Sequence, residues 1–183
     1  MITAAVFCGS AREVDARYLR HAFSIGEILA SRGHSLVCGG NRGMAKQLLD
    51  GFLSTATTAK AVSVVASQPA TSAEGADARS VTFVYESLGA RKEAMLKMSQ
   101  LAIVLPGGLG TLDEFFHLLA MRSIKNTVPP VVVCDYWCDF ADLFAYFGQV
   151  VARKFARPEA FECDVVRSDE ELIDLLARHE PVA

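Results

Sequence analysis

A glycine-rich segment at residues 106–114 carries the residues with the clearest chemical potential. It reads Pro-Gly-Gly-Leu-Gly-Thr-Leu-Asp-Glu, and its glycines allow backbone N–H groups at the start of a helix to approach an anion closely. The last four residues also have the Thr-x-x-Glu form of a helix capping box, but a cap requires no glycines before it. The segment therefore predicts a phosphate-binding turn made of Gly107, Gly108, Gly110 and Thr111, with the threonine hydroxyl as a further donor.

Charged side chains are expected to accompany this turn. Glu114 falls outside the apolar face that its neighbours form at helical spacing, so its carboxylate is expected near the mouth of the helix, beside the phosphate. Arg91 and Lys92 precede the fifth predicted strand. A basic pair on a helix is usually a solvated face, but arginine has the geometry to fork onto a phosphate or to hold a ribose hydroxyl. Beside a phosphate turn, the pair is predicted to contact the ligand.

The elements that position these residues alternate along the chain as strands and helices. Stretches with helical spacing separate short, β-branched apolar runs that are typical of buried strands. The runs lie at residues 2–7, 35–38, 61–66, 81–84, 101–105 and 131–134. Strands that are apolar on both faces and alternate with helices predict an α/β fold, a single-domain doubly wound parallel sheet flanked by helices. The domain is expected to span residues 1–183, with a core at about 2–150 and a peripheral C-terminal helical segment at 151–183.

Two more predicted strands end in glycine turns. Cys8-Gly9-Ser10 follows the first strand, and Gly39-Gly40 follows the second. Ligands of doubly wound sheets bind beyond the carboxyl ends of the strands, so the three glycine turns are expected to face one crevice that holds a phosphorylated ligand. Ser10, Gly39 and Gly40 are therefore predicted to bind the phosphate too. The polar segment 68–79 is predicted to be a loop that acts as a flap near the site.

The composition argues against several classes of protein. A net charge of −3 and a pI near 5.8 leave no basic footprint for polymeric nucleic acid. The N-terminus lacks a basic region, and no apolar run approaches the roughly 20 residues of a membrane helix, which predicts no membrane partner and a cytoplasmic protein. The five cysteines are odd in number and lack zinc spacing. We expect buried free thiols in a reducing compartment and no metal site.

Four motifs, taken in order, resemble the signature of a known enzyme family. Cys8-Gly9-Ser10, Gly39-Gly40, Arg91-Lys92 with Met95, and the segment 106–114 are similar to the motif blocks of the Lonely Guy family of cytokinin riboside 5′-monophosphate phosphoribohydrolases, formerly labelled lysine decarboxylases. The resemblance covers roughly residues 2–135. It implies a Rossmann-like fold, a small-molecule nucleotide substrate, and a homodimer with its site near the subunit interface.

The resemblance also implies a reaction. Family members hydrolyse the N-glycosidic bond of a nucleoside 5′-monophosphate, and Arg91 and Glu114 correspond to the two catalytic positions. A carboxylate such as Glu114 stabilises an oxocarbenium-like sugar and orients or deprotonates the attacking water. Arg91 would anchor the ribose or the phosphate, and the turn at 107–111 would be the phosphate cradle. This hydrolysis requires no cofactor.

Two blocks depart from the family pattern. Leu88-Gly89 stands where the family usually has Met-His, and the block at residues 38–45 is shorter than usual and lacks its tyrosine. Both blocks lie around the expected pocket, so they bear on the identity of the base. Two alternatives stay open: a non-catalytic nucleotide-binding or sensing protein, and a related nucleotide N-glycosidase or deoxyribosyltransferase of specialised metabolism. The presence of Arg91 and Glu114 argues against a sensor, which needs the cradle but not the carboxylate.

Overall fold

The described part of the chain contains seven strands, which form one sheet. The structure, a computed structural model, describes residues 1–40, 42–55, 60–66, 80–125 and 127–179. Its strands are β1 (Thr3–Phe7), β2 (Ser35–Cys38), β3 (Ala61–Ala66), β4 (Ser80–Tyr85), β5 (Leu101–Val104), β6 (Val131–Cys134) and β7 (Asp164–Val166). The first six coincide to within one residue with the predicted apolar runs. The expected α/β alternation is thereby confirmed.

The described residues form six α-helices, of which the first five lie between strands and the sixth follows β7. They are α1 (Ala16–Ser31), α2 (Gly43–Thr55), α3 (Leu88–Lys97), α4 (Leu109–Ser123), α5 (Ala141–Ala152) and α6 (Asp169–His179), and a short 3₁₀ helix (Pro158–Phe161) precedes β7. Side chains cap three of them: the Asp15 carboxylate accepts from the backbone N–H of Arg17 before α1, the Ser87 hydroxyl from that of Ala90 before α3, and the Ser168 hydroxyl from that of Glu171 before α6. Among the helices of the described ranges, none combines the length and the apolar character needed to cross a membrane.

The strand order creates a switch point in the middle of the sheet. The order is β4-β3-β2-β1-β5-β6-β7, and all neighbouring strands run parallel. The chain winds outward from β1 in one direction through β2, and then returns to place β5 on the other side of β1. This is the doubly wound, Rossmann-like arrangement that the sequence predicted.

The core has two layers, one on each face of the sheet. Alternate residues of β1 divide between them: Ala4 and Val6 join the cluster formed with α1, α2 and α6, whereas Ala5 and Phe7 join the cluster formed with α3, α4 and α5. Strands with buried residues on both faces give continuous apolar runs instead of alternating ones. This explains why the strands were recognisable from the sequence.

The C-terminal part corrects the prediction of a peripheral segment at 151–183. β7 pairs with β6 and extends the sheet, and Leu172, Leu175 and Leu176 of α6 are buried in the core. β7 escaped prediction because it has three residues, of which only Val166 is buried, so it contains no apolar run. The flap predicted at 68–79 lies outside the described residues.

Candidate functional site

The candidate site is a cavity of about 880 Å³ at the carboxyl ends of β1 and β5. The turns after these two strands touch, because the N–H of Gly9 donates to the carbonyl oxygen of Pro106 at 3.3 Å. At such a switch point the connections from neighbouring strands leave toward opposite faces of the sheet and open a crevice for a ligand. The volume falls within the range of about 300–1,000 Å³ that is usual for small-molecule sites.

Eight of the ten residues predicted for the site line this one cavity. They are Ser10, Gly39, Arg91, Gly107, Gly108, Gly110, Thr111 and Glu114. Gly40 and Lys92 do not line it. Gly40 has a φ of 129° in the turn after β2, and Lys92 Nζ donates to Asp113 Oδ2 of α4 at 2.7 Å. All three strand-end glycine turns therefore contribute to one crevice. Lys92, the second cation of the basic pair, instead forms an ion pair that joins α3 to α4.

The glycine turn presents an uncapped helix N-terminus to the cavity. α4 begins at Leu109, and Gly108 in the N-cap position has no side chain with which to accept a hydrogen bond. The first N–H groups of an α-helix have no partner within the helix, so those of Leu109, Gly110 and Thr111 are available to an external acceptor. With the helix dipole they make an anion site. Residues 111–114 do not form a capping box, because Thr111 already lies two residues inside the helix.

The packing of the protein requires glycine at only one position of this turn. A Cβ added to Gly107 would lie 2.1 Å from Thr111 Oγ1 and 2.9 Å from the backbone nitrogen of Gly9, so only glycine fits there. A Cβ added to Gly108 or Gly110 would meet no atom within 4 Å. The protein's own packing therefore does not require glycine at these two positions, although both line the cavity. An anion that approaches the backbone closely would explain why glycine is present at these positions, since a side chain there would block its approach.

Replacing Gly107 by alanine is expected to lower the free energy of unfolding by about 1–3 kcal/mol, the usual cost of forcing an extra atom into a packed site. The added methyl group meets both a side chain and the Gly9 backbone, which cannot move without disturbing the turn after β1. Urea unfolding measures the effect. Gly110→Ala is the matched control: it adds the same methyl group in open space in the first turn of α4, where alanine favours the helix by up to about 1 kcal/mol. Equal losses in the two variants would contradict the packing argument.

Arg91 and Glu114 form an ion pair that lines the cavity. Arg91 is on α3 and Glu114 on α4, and Arg91 Nη2 donates to Glu114 Oε1. The side chains are only 15% and 6% exposed. Gly39 lies directly against this pair, since a Cβ there would be in van der Waals contact with Arg91 Nη1 at 3.4 Å. Arg91 Nε is buried and has no hydrogen-bond partner among the described residues, so the guanidinium keeps donor capacity for a ligand.

The pKa of Glu114 is raised from 4.5 to about 7. Burial is the largest cause, because it disfavours the ionised carboxylate, and the negative charge of Asp113 adds to it. The positive charges of Arg91 and Lys92 and the hydrogen bond from Arg91 act in the opposite direction. A carboxyl group that titrates near neutrality is suited to take up and release a proton during a reaction.

Cys8 also lines the cavity but is unsuited to a nucleophilic role. Burial raises the pKa of its thiol well above the ordinary value, and the nearby Cys38 and Glu114 raise it further. The thiolate is the nucleophilic form of cysteine, so a thiol that stays protonated at neutral pH is a poor nucleophile. Among these cavity residues, Glu114 is therefore the one suited to proton transfer.

A second part of the lining was missed by sequence reasoning. It consists of Asp15 and Tyr18 near the start of α1 and of Asp139, Phe140 and Asp142 near the start of α5. Tyr18 Oη donates to Asp139 Oδ1 at 2.7 Å. These residues follow β1 and β6, so the strand-end rule contained a signal for them, but they carry no glycine motif. Their three carboxylates add hydrogen-bond acceptors to the lining, in contrast with the N–H donors of the phosphate turn.

Comparison with known proteins gives similarity over most of the chain. The family model described as possible lysine decarboxylase matches residues 47–176. A cytokinin riboside 5′-monophosphate phosphoribohydrolase of Mycobacterium tuberculosis is 32% identical over 90% of this chain and 87% of its own length. The enzyme of the same name from Arabidopsis thaliana, LOG1, is 30% identical over 97% of this chain and 85% of its own length.

Solved structures share the fold at lower identity. A molybdenum cofactor binding protein of Rippkaea orientalis superposes with a TM-score of 0.70 at 19% identity and covers 97% of this chain and 96% of its own. The molybdenum cofactor carrier protein of Chlamydomonas reinhardtii gives a TM-score of 0.71 at 17% identity and covers 96% of each chain. At these identities the likeness shows the fold alone.

The decarboxylase description of the family model has no counterpart in the cavity. None of the chain's lysines, all of which belong to the described residues, lines it. Lys92 and Lys97, on the helix that carries Arg91, pair with Asp113 and Glu93 instead. Amino-acid decarboxylation with pyridoxal phosphate requires a lysine in the site to form the Schiff base. The cavity residues instead combine an anion site, a largely enclosed arginine and a carboxyl group that titrates near neutrality.

Proposed function

Since the chain belongs to the Lonely Guy family of cytokinin riboside 5′-monophosphate phosphoribohydrolases, we propose that it is an enzyme that hydrolyses the N-glycosidic bond of a nucleoside 5′-monophosphate. One observation carries the proposal: the Arg91–Glu114 pair lines the same cavity as the uncapped N-terminus of α4. The helix N-terminus suits the 5′-phosphate, and the carboxyl group suits the chemistry at the sugar. The products are the free base and ribose 5-phosphate.

Binding of the phosphate positions the sugar for reaction. The amides of Leu109, Gly110 and Thr111 and the hydroxyl of Ser10 hold the phosphate. Glu114 is on the same helix, about 6 Å along the axis from Gly110, a distance comparable with that between the 5′-phosphate and the anomeric carbon of a ribose. Because a single rigid helix carries both groups, fixing the phosphate also fixes the anomeric carbon relative to the carboxylate.

The bond changes follow from this placement. The oxygen of a water molecule attacks the anomeric carbon while the carbon–nitrogen bond breaks, and the bonding electron pair stays on the base nitrogen. The Glu114 carboxylate stabilises the positive charge that develops on the sugar and takes the proton that the water loses. Glu114 then gives this proton, directly or through solvent, to the base nitrogen, which completes the reaction and restores the carboxylate. Arg91 anchors the ribose or the phosphate through the donors that Glu114 does not occupy, among them Nε.

The kcat/KM for AMP is expected to fall as the pH drops below about 7. Glu114 must be ionised to accept a proton from water, and its raised pKa places half-ionisation at about 7. The logarithm of kcat/KM should therefore rise with unit slope from about pH 5 and level off above about pH 7, because kcat/KM reports the ionisation of the free enzyme. Initial rates across this range measure the profile. A profile that stays flat down to about pH 5 would remove Glu114 as the base.

The identity of the base is expected to depend on the acceptors of the missed lining. Carboxylates there suit a base with hydrogen-bond donors, such as the amino group of adenine. Of the two blocks that depart from the family pattern, Leu88-Gly89 does not line the cavity, and Leu88 is 53% exposed. The other block contributes Gly39 and Met44 to the lining. Guanine and cytosine also carry amino groups, and the similarity to cytokinin riboside 5′-monophosphate phosphoribohydrolases favours adenine among the three. We therefore propose an adenine-type base and expect the departure at 38–45 to affect recognition more than the departure at 88–89.

A substrate panel tests the proposed activity. The protein is incubated with AMP, isopentenyladenosine monophosphate, CMP and GMP, and free base is measured by chromatography. We expect base to be released from the two adenine nucleotides and not from adenosine, which lacks the phosphate. Binding of a nucleotide without release of base would identify a binding protein instead. Release that requires an added acceptor base would identify a transferase.

We propose that the enzyme is a homodimer with its site near the subunit interface. Large apolar side chains are exposed on the two helices that carry the catalytic pair: Leu88 at the start of α3, and Leu109 and Phe116 on α4. Leu109, at the edge of the cavity, is 85% exposed. Burial of such side chains against a second copy would stabilise a dimer. Light scattering should give twice the chain mass of 19.8 kDa, and a monomer would overturn this proposal.

We also propose that the enzyme works in the reducing environment of the cytoplasm. All five of its cysteines are free thiols, which is typical of proteins from a reducing compartment. The expectation of buried thiols applies to Cys38 and Cys134, whereas Cys138 is exposed. Burial raises the pKa of Cys38 to about 12, which protects it from oxidation.

A further inference from the structure

A second cavity lies at the opposite end of α4 from the candidate active site. It has a volume of about 630 Å³ and is bounded by the C-terminal ends of α4 and α5 and by the 3₁₀ helix Pro158–Phe161. α4 has 15 residues and is therefore about 20 Å long. The two cavities share no lining residue. The second cavity is thus a separate place in the fold, and the proposed hydrolysis makes no use of it.

The lining of the second cavity is strongly basic. Its charged residues are Arg122, Lys125, Lys154, Arg157 and Glu159, although the whole chain has a net charge of −3. Within the described ranges, none of the four cations takes part in an ion pair. The two helix C-termini contribute about half a negative charge each. After these and the single carboxylate are subtracted from the four cations, about two positive charges remain without a counter-ion.

Two of the cations occupy a backbone conformation that favours glycine. Lys125 and Lys154 have φ angles of 59° and 61°, and each directly follows the C-cap residue of its helix, α4 or α5. Left-handed residues after a helix are usually glycine, since an L side chain is strained there. A helix C-terminus attracts basic side chains, which accounts for Arg122 in the last turn of α4. It does not account for two lysines at positions where glycine would be more stable.

We propose that this cavity binds a compact anion with two or more phosphate groups, such as pyrophosphate or the phosphate chain of a nucleotide. The C-termini of α4 and α5 present carbonyl oxygens, so these helices offer an anion here no N–H groups of the kind proposed to bind phosphate at the other end of α4. The four cations provide the donors instead, and their number exceeds what a single phosphate requires. Phe155, which is 79% exposed at the edge of the cavity, offers a ring face on which the base of a nucleotide can stack.

The test is a titration of the full chain with pyrophosphate, followed by backbone amide chemical shifts. We expect saturable shifts at residues 122–125 and 151–160, with an affinity that falls as the salt concentration rises. The double variant Lys125→Gly/Lys154→Gly removes two charges and also relieves the strained backbone. It should bind pyrophosphate at this cavity at least tenfold more weakly, with an unchanged or higher melting temperature and an unchanged rate of AMP cleavage. Weaker binding in a protein of undiminished stability cannot come from misfolding.

The control variant Lys60→Gln/Lys97→Gln also removes two positive charges, but at exposed positions away from the second cavity. It should bind pyrophosphate as the parent does. Shifts confined to residues 107–111, or parent affinity in the double glycine variant, would overturn the proposal. A titration with ADP distinguishes a nucleotide ligand from an inorganic anion. A tighter affinity for ADP than for pyrophosphate that is lost in Phe155→Ala identifies a nucleotide, and equal affinities identify the inorganic anion.

Discussion

The Glu114→Gln variant is expected to bind AMP with nearly the parent affinity and to cleave it about 10³-fold more slowly, a loss typical of removing a general base that also stabilises charge. Glutamine preserves the shape of the side chain and can still accept the hydrogen bond from Arg91 Nη2. It cannot take a proton from water, and it carries no negative charge to stabilise the oxocarbenium-like sugar. Single-turnover rates and calorimetric binding of AMP measure the two effects separately.

The raised pKa of Glu114 indicates that the fold tolerates this substitution. At a pKa of about 7 the folded protein already accommodates a neutral side chain there. Between about pH 4.5 and 7 the folded parent holds a proton that the unfolded chain releases, so the stability of the parent falls as the pH rises through that window. Glutamine does not titrate. The free energy of unfolding of the variant minus that of the parent should therefore increase with pH over this window. Outside the window this difference should stay constant.

Asp113→Asn is the matched control, because Asp113 precedes Glu114 on α4 and also pairs with a cation of α3, Lys92. Its side chain is 57% exposed and does not line the cavity. We expect a rate of AMP cleavage close to that of the parent. The acid limb of the pH profile should move to slightly lower pH, since Asp113 raises the pKa of Glu114. Equal losses in both variants would contradict the assignment of Glu114. A full rate in Glu114→Gln would remove Glu114 as the base even though the cleavage activity remained.

The features that were predictable from the sequence depend on neighbouring residues. The phosphate turn is a run of glycines followed by a helix, and the strands are continuous apolar runs, so both could be recognised locally. The prediction for Lys92 treated two adjacent residues alike, whereas Lys92 pairs with Asp113 and does not line the cavity. Successive residues of a helix point about 100° apart, so only one member of the basic pair faces the cavity. Which member does so depends on how α3 packs against α4, and no local pattern encodes that.

The acidic lining shows the same limit over longer distances. Tyr18 and Asp139 are 121 residues apart in the sequence and come together only because β1 and β6 are both neighbours of β5. Neither residue has a motif that separates it from an ordinary surface position. The strand-end rule identifies the edge of the sheet where ligands bind, but it does not say which of the side chains after each strand turn toward the cavity.

Replacing Arg91 by glutamine is expected to lower kcat/KM for AMP by about 10²–10³-fold at neutral pH through two effects. The first is the loss of charged hydrogen bonds to the ligand, worth about 1.5–3 kcal/mol or roughly 10–100-fold. The second acts through Glu114. The positive charge of Arg91 and its hydrogen bond hold the pKa of Glu114 down against the effect of burial. Without them the pKa rises above 7, and less of the carboxylate is ionised at neutral pH.

The pH profile of kcat/KM separates these two effects. A higher pH ionises Glu114 but does not restore the anchor, so the acid limb of Arg91→Gln should move to higher pH while its plateau stays below that of the parent. Lys97→Gln, at an exposed position of the same helix, should change neither. An acid limb that stays at about pH 7 would show that Arg91 does not control the ionisation of Glu114. An unchanged plateau would show that it does not hold the ligand. If both changes occur, the Arg91 guanidinium both positions the substrate and keeps the Glu114 carboxylate ionised. This dual role explains why Arg91 and Glu114 lie side by side in a largely enclosed position.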